Sequence, residues 1–190
     1  MKNDRHERSD ARRNRGAVIE AAMAVLPSEP TASMATIAER SGLGRTTVYR
    51  HFPARNDLIR ALFEHVVDEA RQVTSNVIEA GGSTTETMYA LGPAIVAIAD
   101  RFRFLADLRD LGSDVIAEST TDPNQPVRHF VEAAQQRGEI DSAHPVQWIL
   151  TSINGLALGA STEMQAGRLT IEQAGELLGE TMVRAFVVEP

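Results

Sequence analysis

The chain has 190 residues, of which 43% are hydrophobic and 24% charged, enough for a buried core and ordinary for a globular protein. It has no cysteine, which excludes disulfides, thiolate chemistry and cysteine-based zinc sites together. The net charge of −7 hides an asymmetry: residues 1–60 carry eleven Lys plus Arg against seven Asp plus Glu, and the remainder eight against nineteen. A basic head on an acidic body suits a head that meets phosphate and a body that a duplex repels.

Residues 1–10 mix both signs, lack aromatics and are expected to form a disordered tail. Arg12, Arg13 and Arg15 then open a helix whose apolar positions Val18, Ile19, Ala22, Val25 and Leu26 recur at helical spacing. Pro27 and Pro30 end it. Arg12, Arg13 and Arg15 have two readings: a phosphate or minor-groove arm, or a solvated helix start at which arginine opposes the helix dipole. The start of the chain is polar, with no apolar segment behind it, and no apolar run approaches the ~20 residues that span a bilayer. The expectation is a cytoplasmic protein with no membrane partner.

Ser33 is a suitable N-cap for a short helix in which Ile37 and Ala38 form the apolar side. Gly42 and Gly44 stop that helix, because glycine enters left-handed backbone at little cost. Arg45 to His51 forms a second short helix, with Val48 and Phe52 sharing its buried face. Left outward are Arg45, Thr46, Thr47, Tyr49, Arg50 and His51: cations and hydroxyls with no carboxylate. Two short helices about a glycine turn form a helix-turn-helix, whose second helix offers its side chains to the major groove. Arginine reads guanine O6 and N7, and threonine can hydrogen-bond or touch a thymine methyl. Tyrosine, histidine and arginine also contact phosphates, which fix register.

The run T-I-A-E-R-S-G-L-G-R-T-T-V-Y-R-H-F-P-A-R-N-D-L-I resembles the DNA-binding domain of the tetracycline-repressor (TetR) family, most specifically at Tyr49 to Phe52. The resemblance implies that Arg45, Thr46 and Thr47 face bases, with Tyr49, Arg50 and His51 on bases and phosphates. Arg55 stands where the family usually has a phosphate-contacting lysine, and arginine keeps the charge. Ala54 stands where a capping Ser or Asn is more usual, so Asp57 is left to favour that helix start through its charge. The expected fold is all-α, with a helix-turn-helix DNA-binding domain at 1–54 and a helical effector-binding and dimerisation domain at 55–190.

From Arg55 a long helix runs to about Ile78, striped by Leu58, Leu62, Val66 and Val73, and Gly81 and Gly82 end it. Glu64, His65, Asp68 and Glu69 on it read as a wet charged face, since no pair among them completes a metal coordination sphere. The next helix starts near Thr84 and contains Gly92-Pro93, where a bend or break is expected, because proline leaves the Tyr89 carbonyl without its donor. Met88, Tyr89, Phe102 and Phe104 beside it read as the wall of an apolar effector pocket, or equally as core. His129, Phe130 and Trp148 are further candidates for that pocket, although His129 reads first as a partly exposed surface histidine. A short helix around Phe104 to Leu111 and a helix from Pro126 to about Arg137 follow.

Two amphipathic helices close the chain, from Val146 to about Met164 and from Thr170 to about Val187. Each carries glycines four apart, Gly155 with Gly159 and Gly175 with Gly179, and each interior glycine costs about 1 kcal/mol relative to alanine. Close approach of another backbone accounts for that cost, either within the chain or across a dimer. In the resembled family the last two helices pair with those of a second subunit. That implies an interface of Ile153, Gly155, Leu156, Gly159, Ala160, Leu178, Gly179, Met182 and Phe186. The histidines lie in no H-E-x-x-H context and no G-x-S-x-G occurs, so neither an enzyme nor a cofactor is expected. The expected function is a sequence-specific DNA-binding regulator: a homodimeric repressor on a palindromic duplex operator, released by a small apolar or aromatic effector. The alternative is the same head on a solid body with no effector.

Overall fold

A computed structural model describes the backbone of residues 2–110 and 122–188, and the side chains of 9–101 and 122–188. These residues form eight helices and no strand: α1 Lys2–Val25, α2 Met34–Ser41, α3 Arg45–His51, α4 Arg55–Glu79, α5 Thr84–Asp110, α6 Gln125–Gln136, α7 Val146–Gln165 and α8 Ile171–Phe186. Among the described residues no helix is long and apolar enough to cross a membrane. The chain divides into two compact units inside α4, between His65 and Val66, and the last turns of α5 from Phe104 belong to the first. A boundary before Arg55 is therefore too early. Leu58, Ile59 and Leu62 are buried, yet none belongs to the core of the second unit.

In the first unit α1 packs on α2 and α3, burying Val18, Ala22, Leu26, Ile37, Val48 and Phe52. The Ser33 hydroxyl accepts from the Thr36 N–H at 3.1 Å and starts α2. Gly42 ends α2 in the left-handed region at φ 70°, donating its N–H to the Glu39 carbonyl at 3.2 Å. At the start of α4, Asp57 accepts from the Ala54 N–H at 2.9 Å, supplying the cap that Ala54 lacks. The tail expected to be disordered is instead helical, since α1 begins at Lys2. No proline or glycine interrupts residues 2–15, and Arg13 pairs with Asp10 one turn away at 3.7 Å.

The core of the second unit joins Met88, Leu91 and Val96 of α5, Val127 and Val131 of α6, Ile149 and Ile153 of α7, and Leu178, Met182 and Phe186 of α8. Gly92-Pro93 neither breaks nor divides α5, and the separate short helix expected from Phe104 is the continuation of α5. The Tyr89 carbonyl, which Pro93 deprives of its helical donor, lies against Gly179 of α8; a Cβ on Gly179 would sit 2.4 Å from that oxygen. A Cβ on Gly92 would sit 2.3 Å from the Gly175 carbonyl oxygen, and one on Gly175 would sit 2.7 Å from Pro93 Cα. Here α5 and α8 touch backbone to backbone, and the contact supports α5 across its proline.

A capping box starts α8: the Thr170 hydroxyl accepts from the Gln173 N–H at 3.2 Å, and Gln173 accepts from the Thr170 N–H at 2.9 Å. Beyond α8 the chain is pinned to the α6–α7 turn. Asp141 N–H donates to the Phe186 carbonyl and Val188 N–H to the Glu139 carbonyl, both at 3.0 Å.

The residues expected at a dimer interface separate into two sets. Ile153, Leu178, Met182 and Phe186 are buried in the chain's own core, and Gly179 is buried against Tyr89, so these five are not surface. Leu178 and Met182 share with Gly175 and Gly179 the face of α8 that receives α5. Gly155 and Gly159 are exposed with nothing within 4 Å of an added Cβ, Leu156 is exposed, and Ala160 is half-buried.

Candidate nucleic-acid interface

Burial of Val48 and Phe52 decides which way α3 faces. With those side chains inward, Arg45, Thr46, Tyr49 and Arg50 stand exposed, and Thr47 is half-buried. Tyr49 is 47% exposed, unusual for a ring that could pack. Among the described residues neither Arg45 nor Arg50 has a carboxylate partner, so both charges remain available.

His51 differs from the expected outward residue. Its ring is half-buried and tilted against Phe52, with centroids 6.5 Å apart. Nε2 is buried without a hydrogen-bond partner among the described residues. Burial, then the charges of Arg50 and Arg15, hold its pKa below the usual histidine value, so the imidazole is neutral at neutral pH.

Arg55 is likewise turned inward. Its guanidinium donates to the Ala32 and Pro30 carbonyls, each at 2.5 Å, tying the start of α4 to the loop before α2. Two donors of the fork are thus engaged within the protein, and the phosphate contact expected of Arg55 loses them.

Arg12 and Arg13 are exposed but lie inside α1, so they form a helical surface and not an extended minor-groove arm. Arg15, read with Arg12 and Arg13 as part of that arm, packs against the end of α3. Its guanidinium sits 5.5 Å from the Phe52 ring centroid and pairs with Glu64 at 3.8 Å. Arg12 lies about one helical turn before Arg15 on the same side of α1. The resulting surface combines exposed cations and hydroxyls, fit for phosphate contact and base-edge readout.

The described residues expected to line an aromatic pocket in the body are placed differently from one another. Met88 is fully buried in the core, and Phe130 packs against that core half-buried. Tyr89, His129 and Trp148 are exposed, Trp148 at 59%. The side chains of Phe102 and Phe104 lie outside the described residues. Residues 88 and 89 are ~100° apart on a helix, so one cannot line a cavity from the face the other occupies. A cleft of about 80 Å³ lies elsewhere, between Val66, Glu69 and Val73 of α4 and Ala94, Ala97, Ile98 and Arg101 of α5. Arg101 donates to the Glu69 carboxylate across it. The signal for it was the stripe Val66, Glu69, Val73, but Glu69 reads in sequence as part of a solvated face.

The fold and the α3 surface define a helix-turn-helix DNA-binding protein with a helical second domain. Residues 18–62 match the model of bacterial regulatory proteins of the tetR family. The HTH-type transcriptional repressor LfrR of Mycolicibacterium smegmatis is 37% identical over 131 residues, covering 60% of this chain and 69% of the relative. The chain belongs to the TetR family and is a DNA-binding transcriptional regulator. Solved structures extend the fold likeness to nearly the whole chain. LfrR from Mycobacterium smegmatis in complex with proflavine aligns with TM-score 0.67 and 20% identity, covering 94% of this chain and 99% of that one. NalD, the secondary repressor of the MexAB-OprM multidrug efflux pump in Pseudomonas aeruginosa, aligns with TM-score 0.63 and 21% identity, covering 95% and 98%.

Proposed function

We propose that the chain is a homodimeric repressor whose two α3 helices occupy successive major-groove turns of a pseudo-palindromic operator. A small molecule in the second unit releases it. The observation that carries this reading is the face of α3: Arg45, Thr46, Tyr49 and Arg50 exposed over buried Val48 and Phe52, without a carboxylate. Arg45 and the threonines face base edges, and Tyr49 and Arg50 face bases and phosphates. His51, neutral and half-buried, supports the helix end beside them. Arg12 contributes charge beside a phosphate, and Arg13 a weaker share because Asp10 is its neighbour.

The exposed side of α7 and α8 supports a dimer. Trp148, Leu156, Leu158 and Leu177 are all more than 40% exposed and flank the open Gly155 and Gly159. So much exposed apolar surface on two adjacent helices suits a partner helix pair. A two-fold dimer places its recognition helices ~34 Å apart, one turn of B-DNA. Release follows from α4, one unbroken helix from Arg55 to Glu79 that belongs to both units. A ligand that prefers one arrangement of its second half competes with DNA through a shared equilibrium, a coupling of typically about 1–3 kcal/mol. The relatives named for repression and the LfrR complex with proflavine support repression and an effector.

Selection of bound fragments from random duplexes tests the reading. A two-fold-related motif is expected, together with a dimer by sedimentation. Sequence-blind binding that vanishes in moderate salt overturns it.

A further inference from the structure

We propose that the α4–α5 cleft binds a short-chain alkylammonium or comparable small organic cation, its charge on Glu69 and its chain along Val73 and Ile98. The proposal rests on the effector reading given above and names the chemistry of its site. Among the described residues the cleft is lined by aliphatic side chains apart from Glu69 and Arg101, which form an ion pair. The two members of that pair are not equivalent: the Arg101 side chain is 50% exposed and Glu69 34%. Arginine sits on a long flexible stem and can swing its charge into water, whereas Glu69 is the shorter and less exposed of the two. When a ligand enters, Arg101 is the partner that leaves, and the carboxylate that remains takes a cation.

An exposed ion pair contributes little, so exchanging one cation for another at Glu69 is nearly neutral, and the ligand's hydrocarbon supplies the net gain. An anion would have to take Arg101 and leave Glu69 unpaired against aliphatic side chains. It would also meet the field of residues 61–190, with nineteen Asp plus Glu against eight Lys plus Arg, which gathers cations. Size limits the chain. The volume of about 80 Å³ accommodates an aliphatic chain of a few carbons. The ligand bridges α4 and α5, and α4 continues into the DNA-binding unit.

The full-length protein is titrated with butylammonium chloride, and with sodium butyrate and butanol at matched ionic strength, by calorimetry and by NMR of the α4–α5 methyl groups. Butylammonium is expected to bind with a Kd on the order of a millimolar, in keeping with so few atoms. Glu69→Gln should weaken it about tenfold or more, and Arg101→Gln, which removes the competing cation, should tighten it. Equal responses to butanol, a preference for butyrate, or weaker binding in Arg101→Gln would overturn the proposal. Binding of the selected operator is measured in the same samples without ligand. Intact operator binding with no butylammonium response sinks the cation site alone, and absent operator binding sinks the regulator reading.

Discussion

Gly92→Ala is the sharpest test of how the second unit is held together. The added Cβ would lie 2.3 Å from the Gly175 carbonyl oxygen, 2.5 Å from Gly179 N and 2.8 Å from Gly179 Cα. Ordinary contact begins near 3.4 Å, so α5 and α8 must separate by about 1 Å. All three obstructing atoms are backbone, and no rotamer change relieves them. Overpacking of this kind costs about 1–3 kcal/mol, and alanine's better helix propensity returns about 1 kcal/mol. The expected net loss is about 1–2 kcal/mol, because separating the helices also loosens Met88, Leu91 and Leu178 beside them. Urea unfolding followed by helical circular dichroism, at several protein concentrations to account for association, should show a lower midpoint with an unchanged slope. Gly16→Ala is the control: it lies inside α1 with nothing within 4 Å of its added Cβ, and should gain up to about 1 kcal/mol. If Gly92→Ala were as stable as Gly16→Ala, the backbone contact between α5 and α8 would be refuted.

Gly155→Ala combined with Gly159→Ala should stabilise the isolated subunit by about 1 kcal/mol per site and at the same time raise the dimer dissociation constant measured by sedimentation. An unchanged dissociation constant would remove these glycines from the interface. Arg45→Ala should flatten base preference by about 1–3 kcal/mol in competition against randomised operators, and Tyr49→Ala should weaken operator binding with the thermal midpoint retained. Retained preference and affinity would refute their roles. His51 should titrate by NMR below the ordinary ~6.5, and Arg50→Gln should raise that midpoint by removing one of the charges that depress it. The folded chain then binds fewer protons than the unfolded one as pH falls through ~6.5, so stability is full above that value and declines below it. A midpoint at or above the ordinary value would contradict the buried, cation-flanked position.

Much of the fold was legible in the residues because its signals are local. Ser33, Gly42 and Thr170 mark helix ends through hydrogen bonds or backbone angles that involve only their neighbours, and Asp57 caps α4 three residues from Ala54. The face of α3 was legible for the same reason: Val48 and Phe52 are the apolar residues of a two-turn helix, and once they are inward the outward residues follow. What the residues did not reveal about Arg55 and Glu69 depends on partners distant along the chain. The carbonyls that engage Arg55 lie 23 and 25 residues away, and Arg101 reaches Glu69 across 32.

The two glycine pairs make the division plain. Gly155 with Gly159 and Gly175 with Gly179 have the same spacing and the same helical cost, and sequence alone determined that a close approach was being accommodated. Only the tertiary structure decided that the second pair receives α5 within the chain while the first stays open. Helix propensity, capping and amphipathic spacing are properties of a few consecutive residues, so the sequence carries them directly. Which helix packs against which face is set by the simultaneous burial of residues from four helices, and no local pattern contains that choice.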